Sequence, residues 1–134
     1  MKKIGIIGCR ARDSDHDLIV CIDRFFEIYE EGDVIVSGGC PKGGDYFAKL
    51  IHLAWGIPMI THEAKWREGG VYNRGAGFAR NGLIARDSDV VLALVTVDRS
   101  RCKGTMDTVR KTERLGKTTM LDENEEEFDP ENII

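Results

Sequence analysis

The chain has 134 residues, the length of about one domain. Hydrophobic residues make up 42% and charged residues 31%, ordinary for a protein with a buried core, and no apolar run approaches the roughly 18 residues of a membrane span. Net charge is -4, which argues against nucleic acid as the main partner, because neutralising a phosphate backbone drives that binding.

The start runs directly into a strand at Lys3–Gly8 without the layout of a signal peptide, so a cytoplasmic protein is expected. Ser14 or Asp13 caps the next helix, where Leu18, Ile22, Phe25, Phe26 and Tyr29 recur at helical spacing. Gly32 ends that helix, and residues 33–37 form a second strand. A glycine-rich turn, Gly38-Gly-Cys-Pro-Lys-Gly-Gly44, opens a helix with Phe47, Leu50, Ile51, Ala54 and Trp55 on one side, and Gly56 ends it. Residues 57–60 form a third strand, placed at a sheet edge by Pro58. Residues 61–77 are polar, carry Trp66 and Tyr72, and read as a long loop into a helix at 78–86. Residues 89–95 are the most apolar strand and are expected at the centre. Gly104-Thr105 opens a helix that turns Met106, Val109 and Leu115 inward and ends at Gly116; residues 117–121 are the last strand. One domain over 1–121 and a solvated acidic tail over 122–134 result.

Apolar strands separated by helices predict a parallel sheet covered on both faces. Ligands of such sheets gather at the carboxyl ends of the strands, near the point where strand order reverses. The connections after three strands should meet there. In or beside the polar connections lie Arg10, Arg12, Lys42, Arg74, Arg80, Arg99, Arg101 and Lys103, a local basic pocket that suits a small anion. Common phosphate fingerprints fail. Asp45 stands where a P-loop has lysine, and Gly5 and Gly8 do not make a dinucleotide turn. The glycines still permit close approach to a helix start, with phosphate expected at Gly104-Thr105 and ribose hydroxyls at Asp45. Either loop alone is equally well a tight turn with Asp45 or Thr105 as a cap. Four cysteines, Cys9, Cys21, Cys40 and Cys102, contain no Cys-x-x-Cys pair and read as reduced thiols. With His16, His52 and His62 they show no metal-ligand spacing, so no metal and no cofactor are expected.

Several short motifs follow in order. They are Gly8-Cys9-Arg10; Ser37-Gly38-Gly39 with Gly43-Gly44-Asp45 and Ala48; Trp66; Ala76-Gly77-Phe78-Ala79-Arg80-Asn81; Asp89; and Gly104-Thr105. In this order and spacing the chain resembles the YspA-like branch of the SLOG superfamily of Rossmann-like domains. Its relatives include the LOG-type phosphoribohydrolases and the DNA-processing protein DprA. The resemblance implies a three-layer Rossmann-like α/β sandwich of about five mostly parallel strands, and a nucleotide-derived ligand held by the glycine loops and the arginine. In the phosphoribohydrolases an arginine on the third helix and the glutamate of Gly-Thr-x-x-Glu support cleavage of an N-glycosidic bond. Arg80 matches that arginine. Thr108 occupies the glutamate's place, and Asp107, one residue earlier, points about 100° away around a helix. The second loop is longer than the family pattern by Cys40-Pro41-Lys42.

The leading expectation is a module that senses or sequesters a nucleotide or nucleotide-derived anion. Its site is Gly8, Arg10, Ser37, Gly38, Gly39, Gly43, Gly44, Asp45, Arg80, Asn81, Gly104 and Thr105. The alternative is a phosphoribohydrolase-like enzyme releasing a base from a nucleoside monophosphate, with Arg80, Asp45 or Asp107 as catalytic groups. A DprA-like single-stranded DNA binder comes third, because charge is negative and no aromatic-basic stripe runs along the sequence. Trp66 is read as packing its loop, and Tyr72 as open to stacking on a base. The expected partners are a nucleotide-like small molecule and a second copy, as in the dimeric phosphoribohydrolases, with no nucleic acid and no membrane.

Overall fold

The structure, a computed structural model, describes residues 1–124; from residue 125 the expected solvated tail lies outside the described residues. The elements are β1 (Lys3–Gly8), α1 (Asp15–Ile28), β2 (Val34–Ser37), α2 (Gly44–Trp55), β3 (Met59–Thr61), β4 (Arg67–Glu68), β5 (Val71–Tyr72), α3 (Ala76–Asp87), β6 (Val90–Val95), α4 (Lys103–Arg114) and β7 (Thr118–Glu123). A 3-10 turn, Arg99–Cys102, runs into α4. The main sheet has the order β3-β2-β1-β6-β7, and every pairing is parallel.

This order follows from the path of the chain. After β1 it builds outward through β2 to β3, then returns to the other side of β1 with β6 and continues to β7. The centre is therefore β1 rather than the more apolar β6, which lies beside it. The edge position of β3 agrees with Pro58. Strand order reverses between β1 and β6, and a crevice opens beyond the carboxyl ends of strands at such a point.

Side-chain alternation divides the core. Ile4 and Ile6 of β1 and Leu92 and Leu94 of β6 meet Cys21 and Phe25 of α1 and Phe47, Ala48 and Ile51 of α2. On the other face, Ile7, Val91, Ala93 and Val95 meet Ile84 of α3 and Val109 of α4. Each fully buried Phe or Ile contributes about 1.5–3 kcal/mol. The molecule is thus a three-layer α/β sandwich with a Rossmann-like sheet. No helix among the described residues is long and apolar enough to cross a membrane.

Local chemistry sets the element ends. Ser14 caps α1 through a capping box with Asp17, each side chain engaging the other's backbone amide. Gly44 lets α2 abut β1. A Cβ there would lie 2.3 Å from the Gly8 nitrogen, and the preceding Gly43 has φ of 69°. This contact carries Asp45 to the sheet rim.

Several boundaries differ from the sequence reading. Helix α1 ends at Ile28 with Tyr29 as C-cap, and Gly32, at φ 95°, serves the later turn into β2. Ala54 and Trp55, expected on the apolar side of α2, and Leu115, expected inward, are exposed, Trp55 and Leu115 at 51% and 52%. The segment 61–77 holds the antiparallel pair β4–β5, where Gly69 and Gly70, both at positive φ, make the turn. Strand β7 continues through Asp122 and Glu123, because Asp122 has a buried partner.

That partner is Arg12, which the sequence reading grouped with the pocket cations. Arg12 is 1% exposed. Its Nε donates to Asp17 Oδ1 at 2.7 Å, Nη1 to the Val95 and Asp122 carbonyls, and Nη2 to Asp122 Oδ1 at 3.0 Å. Burial pushes the Asp17 carboxyl upward, but hydrogen bonds from Arg12 and Ser14 outweigh it and hold the group below its usual range. A depressed carboxylate stabilises the fold above its unfolded value, near pH 4, and that stabilisation is lost as pH falls through the folded value. Thermal melts should therefore hold steady from neutral pH down to about pH 5 and decline below about pH 4. Asp17→Asn should flatten the decline.

Candidate functional site

A cavity of about 410 Å³ opens at the carboxyl edge, bounded by the end of β1, the starts of α3 and α4, the 3-10 turn and Trp66. Gly8 and Arg10 reach it from β1, Arg80 and Asn81 from α3, and Gly104 and Thr105 from α4. Asp45 enters from α2. Arg80 and Thr105 thus share one hollow, but Gly39, expected beside them, is not part of its wall. Ser37, Gly38, Gly39, Gly43 and Gly44 do not line it.

Those loop residues are occupied with the protein itself. The Gly38 and Cys40 amides donate to the Asp45 carboxylate at 3.3 and 3.0 Å, and the Gly43 amide donates to Asp13 Oδ1 at 2.9 Å. The Gly39 amide donates weakly to Ser37 Oγ at 3.4 Å. Carboxylates of the chain fill the place a phosphate would take in a glycine cradle. Burial pushes the Asp45 carboxyl above its usual range, and the Cys40 amide, the Arg80 charge and the Gly38 amide offset this only in part.

Arg80 is also partly engaged. Its Nη1 donates to the Gly38 carbonyl at 2.6 Å and its Nε to Asn81 Oδ1 at 3.1 Å. Asn81 in turn donates to the Gly104 carbonyl and to Asp107 Oδ2, tying α3 to α4. Asp107 accepts a second bond from Lys111 Nζ at 2.7 Å and does not line the cavity. Thr108 does line it, and its hydroxyl donates to the Gly104 carbonyl at 3.2 Å.

The start of α4 is different. Its N-cap, Cys102, supplies no side-chain acceptor, whereas α1 has a full capping box. The 3-10 turn Arg99–Cys102 leads straight into this first turn, with Lys103 in helical conformation. Around it stand more cations than the proposed site residues alone would supply. The cavity wall carries Arg10, Lys42, Arg74, Arg80, Arg101 and Lys103 against the single acid Asp45. Among the described residues, the side chains of Arg10, Lys42, Arg74, Arg101 and Lys103 have no hydrogen-bond or ion-pair partner. By contrast Arg24 pairs with Asp122 and Glu27, and Arg99 with Glu123. Lys42, Arg74, Arg101 and Lys103 were visible in the sequence as basic connections, but which of them were free was not.

Two thiols lie in the floor. Cys9 Sγ donates to the Arg101 carbonyl at 3.0 Å, and Cys102 contacts the Thr96 hydroxyl at 3.1 Å. Burial pushes the Cys9 thiol up. Burial raises the Cys102 thiol, but its contacts with Cys9 and Thr96 outweigh this and lower it. Among the described residues no group of three or more His, Cys, Asp and Glu side chains is arranged to hold a metal ion.

No family model and no curated protein matches the sequence. Among solved structures the chain is similar to DNA processing protein A from Helicobacter pylori, with a TM-score of 0.69 and 23% identity. The match covers 98% of this chain and 70% of that one, and at this identity it is a likeness of fold. That protein binds single-stranded DNA. This finding corrects the expectation that nucleic acid is excluded as a partner. The physical error lay in averaging charge over the whole chain. Residues 125–134 hold five of the 23 acids and none of the 19 bases, so residues 1–124 alone carry 19 bases against 18 acids. Cations concentrated on one rim act locally, whatever the sum.

Proposed function

We propose that this chain, as one Rossmann-like domain of the YspA-like branch, binds single-stranded nucleic acid along the carboxyl edge of its sheet. The cavity is then the seat of a backbone phosphate. The observation that carries this reading is the cavity wall itself, where five cations have no partner among the described residues and face one carboxylate. Free cations beside the start of α4 meet the requirement for phosphate contacts, to which Arg and Lys side chains contribute. The single-stranded DNA binding of the structural neighbour supports the choice of strand.

A second reading, capture of a free nucleotide, is favoured by the cavity's volume of about 410 Å³, within the range of small-ligand sites. Cleavage of an N-glycosidic bond has less support. A carboxylate must stabilise positive charge building on the sugar. Thr108 stands at the family's glutamate position, Asp107 is bonded to Asn81 and Lys111, and Asp45 holds its own loop.

Binding of a labelled oligothymidylate, followed by fluorescence anisotropy across a salt series, tests the proposal. The expected result is a complex whose log K falls with log salt at a slope of about -2 to -3.5, the release expected for roughly three to five phosphate contacts with a single strand. Binding of nucleoside monophosphates without the oligomer would transfer the assignment to the second reading. Binding of neither would end both.

A further inference from the structure

The geometry points to Trp66, backed by Tyr72, as a stacking surface for an unpaired nucleobase whose phosphate lies in the adjoining cavity. This rests on the single-stranded reading of the same site and specifies how a base, as distinct from the backbone, is held.

The β4–β5 pair has two residues in each strand and joins no other strand. So small a hairpin is marginal alone. It is held by its own aromatics. The rings of Trp66 and Tyr72 stack with centroids 6.3 Å apart and planes 12° from parallel, and the Asn73 amide donates to the Trp66 carbonyl at 2.6 Å. The indole rests on α3 at Gly77, where a Cβ would come within 3.1 Å of Trp66 Cη2. The bare glycine face thus sets the depth of the ring.

The ring is nonetheless not hidden. Trp66 is 45% exposed and Tyr72 56%. Trp66 and the exposed Phe78 both line the cavity, together with Arg74 and Arg101. The indole N–H has no hydrogen-bond partner among the described residues. Flat rings already in parallel order, beside cations that can take phosphates, are the two parts of a single-strand site: bases stack while the backbone is neutralised. The stripe that the linear sequence lacks is assembled here from separate segments, Trp66 and Tyr72 on the hairpin and Phe78 and Arg80 on α3. A paired duplex buries its base faces and offers nothing to such a surface.

The test uses a Trp55→Phe background. Trp55 packs on Phe26 in the opposite helix layer, so its removal leaves Trp66 as the sole tryptophan reporter. Oligothymidylate should quench Trp66 fluorescence in step with binding. Trp66→Ala should weaken the oligomer about tenfold or more, while Trp66→Phe, which keeps a ring, should recover most of the affinity. An abasic strand of equal length should bind the parent and Trp66→Ala alike. If the oligomer binds with no quenching and Trp66→Ala matches the parent, the stacking surface is overturned while the phosphate seat stands. If Trp66→Ala weakens the abasic strand equally, Trp66 supports the hairpin and does not contact a base. If the parent binds no oligomer, the stacking surface and the single-strand reading both fall.

Discussion

Replacing Arg10, Arg101 and Lys103 together by alanine should weaken oligothymidylate binding by about a thousandfold or more at low salt, since each hydrogen bond to a charged group is worth about 1.5–3 kcal/mol. The salt slope should flatten by about two, the loss of roughly three single-strand phosphate contacts. The three side chains suit this experiment because none has an internal partner among the described residues, so their removal leaves no buried acceptor unsatisfied. The melting temperature should therefore stay near that of the parent, as for exposed substitutions away from structural contacts. Arg80 is a poorer probe. It lines the same cavity, but its bonds to the Gly38 carbonyl and Asn81 make any loss a mixture of binding and loop geometry. Unchanged affinity in the triple variant would remove the cations from the binding account.

The largest effect on stability is expected at Arg12. Arg12→Ala removes a guanidinium that joins the start of α1 to the ends of β6 and β7, and it strands the Asp17 carboxylate and two carbonyls. Breaking a buried pair from one side costs about 3–5 kcal/mol. For a domain of this size, that corresponds to a fall of about 10–20 °C in melting temperature. Differential scanning calorimetry measures it directly. A fall of only a degree or two would mean that the cluster is solvated and that Asp122 is not bound into the sheet. Arg12 does not line the cavity, so oligomer affinity per folded molecule should be unchanged.

The contrast between Arg12 and Arg101 shows what the sequence could and could not disclose. Both are arginines in polar connections after a strand, and local pattern gives no reason to separate them. The difference lies in partners distant along the chain: Asp122 is 110 residues away from Arg12. The layering was legible because it depends on short-range periodicity, apolar strands alternating with amphipathic helices, and Pro58 marked the edge strand. The centre of the sheet was not, since strand order depends on where the chain reverses and β6 is more apolar than β1. The hairpin was missed because its strands are two residues each and expose all four side chains. The adjacent glycines Gly69-Gly70 were its available signal. The role of Asp45 was hidden for another reason. A carboxylate in a first helical turn reads the same whether it awaits a ribose or holds the Gly38 and Cys40 amides.

The most direct measurement of the central claim is an amide NMR titration of the full chain with unlabelled oligothymidylate. The largest shifts are expected at Gly8–Arg10, at Trp66 and residues 74–81, and at residues 100–105, with the outer face of α1 and α2 unmoved. Shifts confined to that helix face, or spread evenly over the surface, would contradict a phosphate seat at the carboxyl edge of the sheet.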